Sequence, residues 1–314
     1  MKNHFISIDW GTTNFRLRIV EVPEMKVLEE ISSDMGIKVM NERIKASGGD
    51  RKALFFQYIQ EELKRLSSWP DLPNLVLVSG MASANIGLKE LPYASLPFDR
   101  YGTGIITDSI THPDYSFSIF LISGVRNEED VMRGEETQVI GLIDDCKIQG
   151  DAIFILPGTH SKHIFYQEDQ FVDFRTYMTG EMFSVISEKT ILSGSVISGE
   201  LGFEEKNAFQ SGVKKSLDNE NLLHQLFTIR AKDIFQMSSA TENYYFLSGL
   251  LIGHELKALT RNADLQIYLY ADGKLEELYQ LAGRELTLDL IPVKAENQQS
   301  VVANGQWKIY HSQT

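Results

Sequence analysis

The stretch Phe5-Ile-Ser-Ile-Asp-Trp-Gly-Thr-Thr-Asn-Phe-Arg-Leu-Arg-Ile-Val20 constrains the fold of this chain more than any other. Phe5, Ile6 and Ile8 read as a short buried strand. Phe15, Leu17 and Ile19 alternate with Asn14, Arg16 and Arg18 as a second strand. Between them, Asp9-Trp-Gly-Thr-Thr13 is too small and polar for core and too tight for anything but a hairpin turn. Such a turn gathers backbone N–H groups, two hydroxyls and one carboxylate around a point. Gly11, Thr12, Thr13 and Asn14 then suit phosphate oxygens, and Asp9 suits a metal-bound water. An ordinary β-hairpin with a polar tip is the other reading of these residues.

The second half repeats the theme. Ala152 to Leu156 is an apolar strand, Pro157-Gly-Thr-His-Ser-Lys162 a tight polar turn, and His163 to Tyr166 a returning strand. Val27 to Ile31 and Phe171 to Phe174 each supply a third strand. Strand, Gly-Thr turn, strand therefore occurs twice, which suggests a duplicated domain with the two turns facing one another across a cleft. The pair favours a phosphate clamp over two unrelated hairpins. The chain of 314 residues is long enough for two cores, and the polar run Asp144 to Gly150 reads as their seam. That places the domains at 1–147 and 148–314.

Other elements fill the α/β pattern. Leu54 to Leu66 has helical apolar spacing, stopped by Trp69-Pro-Asp-Leu-Pro73. Leu75 to Val78 reads as a buried parallel strand and runs into Ser79-Gly-Met81, a position ligands favour in open α/β sheets. Phe117 to Ser123 is a strand, and a helix follows from about Gly134. Met182 to Leu192, Asn221 to Met237 and Tyr244 to Thr260 read as helices. Leu265 to Tyr270 is a strand ending at Ala271-Asp-Gly273, with a helix from Leu275. The tail beyond Glu285 carries no signal.

A net charge of −13 argues against nucleic acid as a partner, since backbone binding needs a basic face. No apolar run is long enough to span a bilayer and no signal peptide precedes the first strand, so a cytoplasmic protein is expected. The single cysteine, Cys146, fits a reducing compartment and is read as inert. His160 and His163 do not make a zinc site, because no further His or Cys completes it and Lys162 repels a cation.

Asp9-Trp-Gly-Thr-Thr13, Gly158-Thr-His-Ser-Lys162 and Ala271-Asp-Gly273 resemble, in order, the phosphate 1, phosphate 2 and adenosine segments of the actin/hexokinase/Hsp70 ATPase superfamily. More narrowly, five segments look like the 2-dehydro-3-deoxygalactonokinase family. These are Ser79-Gly-Met81, Asp130-Val-Met-Arg-Gly-Glu-Glu-Thr-Gln138, Leu156-Pro-Gly-Thr-His-Ser-Lys162, Met178-Thr-Gly-Glu181 and Ser248-Gly-Leu-Leu-Ile-Gly253. The resemblance runs from Ile6 to about Ala282. Leu88 and His163 depart from it, each standing where the family has Trp.

The resemblance implies two actin-like, ribonuclease H-like domains, each a mixed sheet with flanking helices, around a central cleft. It also implies ATP- and Mg²⁺-dependent phosphorylation of the 6-hydroxyl of 2-dehydro-3-deoxy-D-galactonate, in galactonate breakdown. Asp9 then holds Mg²⁺ through water, and Gly11, Thr12, Thr13 and Asn14 hold the β- and γ-phosphates. Gly158, Thr159, His160 and Ser161 grip them from the other lobe, with Gly249 and Gly273 completing the nucleotide site. Phosphoryl transfer needs in-line positioning and charge compensation more than covalent chemistry.

A sugar hydroxyl also needs a base. Glu135 is the first candidate, Glu136 the second and Asp130 the third. Neighbours on a helix point about 100° apart, so at most one of the two glutamates faces the cleft; the alternative is that both simply decorate a helix N-terminus. Arg133 suits a phosphate oxygen or an ion pair with a Glu. Asn85, Lys89, Lys162, Thr179 and Glu181 are candidates for the keto acid, although Thr179 and Glu181 also suit a helix cap. The other functions weighed are an exopolyphosphatase-like phosphohydrolase, a kinase for a related 2-keto-3-deoxy sugar acid, and a non-catalytic sensor. The absence of Gly-x-x-x-x-Gly-Lys-Ser/Thr excludes a P-loop kinase. A homodimer and closure of the lobes on acceptor binding complete the expectations.

Overall fold

Strand β1 (His4–Trp10) has almost no polar face: Phe5, Ile6, Ile8 and Trp10 are fully buried. A strand buried on both faces belongs at the centre of a sheet. The structure is a computed structural model describing residues 4–66, 73–146, 148, 150–262, 264–294 and 300–314. The Trp69–Leu72 part of the expected helix stop lies outside those residues. The chain forms two compact units. One comprises 1–147, 167–173 and 294–314; the other comprises 148–166 and 174–293.

In the first unit β1 pairs antiparallel with β2 (Phe15–Glu21), which pairs with β3 (Lys26–Ser33). Helices α1 (Ile37–Ser47) and α2 (Arg51–Arg65) follow. Strand β4 (Leu75–Gly80) then lies parallel to β1 on its other side. Next come the short strands β5 (Ala94–Ser95) and β6 (Phe98–Asp99), then β7 (Thr107–Ile110) and β8 (Ser118–Ile122). The sheet order is β3-β2-β1-β4-β8-β7. Strands β9 (Val125–Arg126) and β10 (Val131–Met132) form a small sheet with β5 and deliver the chain to α3 (Glu135–Leu142). Helix α2 buries Phe55, Phe56 and Ile59 against this unit's core, where Leu88 also lies.

The second unit repeats the plan. Strand β11 (Ala152–Leu156) pairs antiparallel with β12 (Ser161–Gln167), and β13 (Gln170–Tyr177) lies beyond it. Helices α4 (Thr179–Lys189), α5 (Phe203–Ser216), α6 (Leu222–Ile234) and α7 (Ala240–Leu256) follow. Strand β14 (Gln266–Leu269), α8 (Gly273–Glu285) and β15 (Leu290–Pro292) complete the unit, with β14 parallel to both β11 and β15. The order β15-β14-β11-β12-β13 matches β8-β4-β1-β2-β3 of the first unit, an antiparallel meander beside parallel strands in each case. This is the duplicated actin-like, ribonuclease H-like arrangement.

The C-terminus departs from the expected domain limits. Helix α9 (Val301–Gln313) belongs to the first unit, not the second. Trp307 stacks on Phe5 at 4.9 Å, and the Gln306 amide donates to Ile8 O at 2.8 Å and to Ser79 Oγ at 2.9 Å. Gly141 of α3 and Gly305 of α9 let the two backbones touch: a Cβ on Gly305 would stand 1.9 Å from Thr137 O. Among the described residues no helix is long and apolar enough to cross a membrane.

Candidate active site

In the first unit, the turn after β1 is tied back by the start of α1. Ile37 N–H donates to Gly11 O at 3.0 Å and Lys38 N–H to Thr12 O at 3.2 Å. Gly36 is packed so closely on Thr12 and Thr13 that a Cβ would overlap their backbone. With its carbonyls occupied from behind, the turn leaves Thr12, Thr13 and Asn14 exposed. Their donors therefore face solvent, as an anion-binding turn requires.

Asp9, the last residue but one of β1, lies 3.8 Å from the Arg16 guanidinium with its side chain 22% exposed. Burial raises its carboxyl above the ordinary range against the pull of Arg18 and Arg16, and the charge on Glu135 adds to the rise. Two mutually repelling acids beside exposed threonine hydroxyls form a hard-oxygen donor set that fits Mg²⁺. That ion commonly uses one or two carboxylates and takes its other ligands from water and phosphate. Among the described residues no group of three or more His, Cys, Asp or Glu is placed to hold a metal, so a cage built wholly from protein is not in view.

Helix α3 brings the glutamates to this point. Gly134, at φ 112°, lets the chain turn into the helix beside Gly80 at the end of β4. Here the adjacent pair separates. Glu135 is half-buried and its Oε2 accepts from Arg133 N–H at 3.0 Å. Glu136 is fully buried, and both its oxygens accept from Gly134 N–H, at 2.9 and 2.7 Å, with Thr137 Oγ1 at 3.1 Å. It caps the helix from inside, so it is corrected from candidate base to structural acid. Asp130 Oδ1 accepts from Val131 N–H in its own turn. The Arg133 guanidinium donates to Ser83 O and Oγ, both at 2.6 Å, and lies over the Tyr93 ring.

Burial, reinforced by the charge on Glu135, pushes Glu136 up to about 7. A carboxyl raised on folding favours the fold fully below its unfolded pKa, and that contribution disappears as pH climbs through the folded value. Stability should therefore fall between about pH 4.5 and 7, by on the order of 3 kcal/mol from this group. Glu136→Gln, which mimics the protonated acid, should flatten that slope. Thermal unfolding of both proteins from pH 5 to 8 checks it; parallel curves would refute it.

Among the acceptor candidates, Lys89 is committed to Asp108 at 2.6 Å, which removes it as a free cation. Asn85 is exposed beyond the end of β4.

In the second unit, Gly158, Thr159 and His160 are exposed at the end of β11, and a Cβ on Gly158 would meet open space. Helix α4 starts against this loop: Glu181 N–H donates to Thr159 O at 3.0 Å, and Gly180 is too close to Gly158 O for any side chain. Glu181 pairs with His160 at 2.6 Å with its side chain still 42% exposed, whereas Lys162 is buried and does not stand open to a sugar acid in this unit.

Beside the loop lies a cavity of about 270 Å³ lined by Gly158, Thr179, Phe183, Tyr244, Lys274 and Leu278, with further residues of α7 and α8. It is mostly apolar with a few polar groups, which is how small-molecule sites are built. Gly273, at φ 54°, opens α8 at its rim. Gly249 does not line this cavity. A Cβ there would stand 2.0 Å from Phe209 O, so Gly249 lets α7 pack on α5.

Beneath this cavity sits a group that sequence reasoning missed. Glu255 of α7 is buried and accepts from Ser161 Oγ at 2.7 Å, His163 Nε2 at 3.0 Å, Tyr279 OH at 2.9 Å and Thr179 Oγ1. Burial alone would raise its carboxyl. The donations from His163, Thr179 and Ser161 outweigh burial and hold it below the ordinary range. Ser161 and Thr179 are thus corrected: their hydroxyl protons go to Glu255, not to phosphate or sugar. The available signal was a lone acid in the apolar run Leu247–Leu256, since a buried charge demands partners.

A model of the 2-keto-3-deoxy-galactonokinase family matches residues 9–309. The chain is 29% identical over 302 residues to the 2-dehydro-3-deoxygalactonokinase of Escherichia coli (strain K12), covering 94% of each. It is 31% identical over 300 residues to "Probable 2-dehydro-3-deoxygalactonokinase DgoK1" of Rhizobium meliloti (strain 1021), covering 93% of each. Among solved structures, a Sinorhizobium meliloti protein assigned to the same activity superposes with a TM-score of 0.81 at 29% identity over 98% of both chains. On this evidence the chain belongs to the 2-keto-3-deoxy-galactonokinase family.

Proposed function

We propose that this enzyme transfers the γ-phosphoryl group of ATP to the 6-hydroxyl of 2-dehydro-3-deoxy-D-galactonate, as a cytoplasmic step of galactonate catabolism. The observation that carries the reading is the division of labour within Arg133-Gly-Glu135-Glu136. One glutamate is locked into the helix cap, and the other stands half-exposed within electrostatic reach of Asp9. Glu135 accepts the hydroxyl proton as the sugar oxygen attacks phosphorus. Thr12 and Thr13 donate to phosphate oxygens, Asp9 holds Mg²⁺ through water, and the cavity beside Gly158 takes the adenosine. Magnesium, when bound, neutralises phosphate charge. Arg133, pinned by Ser83 and Tyr93, is a fixed cation suited to the acceptor's carboxylate.

ATP consumption measured with a panel of 2-keto-3-deoxy sugar acids tests the reading. We expect turnover only with an acceptor present and highest with the galactonate derivative. Asp9→Asn should lower kcat by about 10²-fold or more, the scale on which a lost electrostatic contact counts. Phosphate release without any sugar would instead favour the phosphohydrolase.

We also infer a homodimer through α6. Leu223, Phe227, Ile234, Phe235 and Met237, along α6 and just beyond its end, are 57–76% exposed. Five such side chains amount to roughly 600 Å², close to the ~800 Å² that each partner of a stable complex buries. A single helix face serves a second copy of itself by two-fold symmetry. Sedimentation should show a dimer, and Phe227→Glu a monomer; a monomeric wild type would overturn this.

A further inference from the structure

Glu255 is an expensive residue to place where it is. A buried carboxylate costs several kcal/mol unless each of its acceptor sites is met, and an apolar side chain of similar size would commonly be no less stable. Here all four sites are met, two donors to each oxygen. The donors come from separate walls of one cavity. Ser161 follows the Gly158–His160 loop, His163 lies two residues further along β12, Thr179 opens α4, and Tyr279 lies on α8. Thr179 and Tyr279 themselves line the cavity. Glu255 continues the α7 face formed by Ser248, Leu251 and Ile252, one turn below the cavity floor. The His163 ring lies 4.5 Å from that of Tyr177, tilted by 44°, and its buried Nδ1 has no partner among the described residues. Among the described residues, its one polar contact is the carboxylate.

We propose that Glu255 is a positioning residue of the nucleotide site, holding the phosphate loop, α4 and α8 at the spacing that admits ATP. The proposal rests on the reading that this cavity takes the nucleotide. It has a chemical corollary. With their protons turned to Glu255, Ser161 and Thr179 present only lone pairs elsewhere, and backbone N–H groups are left to meet phosphate oxygens. Nucleotide affinity should then depend on a hydroxyl that does not donate to the nucleotide.

The test uses Thr179→Val and Thr179→Ser in the full-length enzyme, with Tyr279→Phe and Glu255→Gln beside them. Thr179→Val keeps the shape and removes one donor. We expect its KM for ATP to rise about tenfold, with kcat and the KM for the sugar acid within about threefold of wild type. Thr179→Ser should restore the wild-type KM, and Tyr279→Phe should act like Thr179→Val. Glu255→Gln sets an amide N–H against inward-facing donors and should have the largest effect. If it fails to fold, the threonine pair still decides. An unchanged KM for ATP in Thr179→Val and Tyr279→Phe would overturn the proposal. So would a rise confined to the KM for the sugar acid, which would return Thr179 to a direct acceptor contact. Calorimetry of the wild type with MgATP separates the two levels: no binding would refute the nucleotide reading itself, whereas wild-type binding with indifferent variants refutes only the role of Glu255.

Discussion

Glu135→Gln should lower kcat by about 10²–10⁴-fold, the range that general-base catalysis contributes, while leaving the KM for ATP within a few-fold of wild type. The asymmetry follows from geometry. Glu135 takes one backbone hydrogen bond from Arg133 and stays half-exposed, whereas Glu136 spends both oxygens on the N–H of Gly134 and is sealed from solvent. Only the first has room to receive a proton from a substrate. Glu136→Gln should keep most of its activity, since the amide still accepts from Gly134. Coupled measurement of ADP release, varying ATP and acceptor in turn, reads both constants. A full loss in Glu136→Gln with an active Glu135→Gln would reverse the assignment.

Gly305→Ala should be nearly as damaging, although Gly305 touches no candidate ligand. Its missing side chain lets α9 meet α3 backbone to backbone, and one methyl there would have to occupy the place of Thr137 O. The helices must separate, which costs about 1–3 kcal/mol or more. Each kcal/mol lowers the melting temperature by a few degrees in a chain of this size. Because α3 begins with Glu135, displacing it should also lower kcat. Hydrogen bonds from Asn304 to Gly141 O and from Lys308 to Ile140 O register the same two helices, so the shift cannot be absorbed locally. Calorimetry with steady-state assays checks it; a wild-type melting point and turnover would refute it.

The two candidate turns were legible because such turns are local. Gly11–Asn14 and Gly158–His160 are short, and the apolar strands before them identify themselves. The same locality explains the omissions among the helices. Helix α1 opens at Gly36 and α5 at Gly202 with no side-chain cap, so neither has a start signal. Helix α5 buries Gly212 and Ser216 beside Phe209 and Val213, and such small residues leave no clear apolar period.

From the residues alone came the duplicated strand–turn–strand plan, the two exposed Gly-Thr turns and the acidic helix after Arg133, because each depends on neighbours within a few positions. Three things required the third dimension. Helix α9 returns to the first unit and braces α3; Glu136 rather than Glu135 is buried; and Glu255 collects four donors from distant parts of the chain. Each is set by which side chains the fold brings together across long separations, and no spacing along the chain records that.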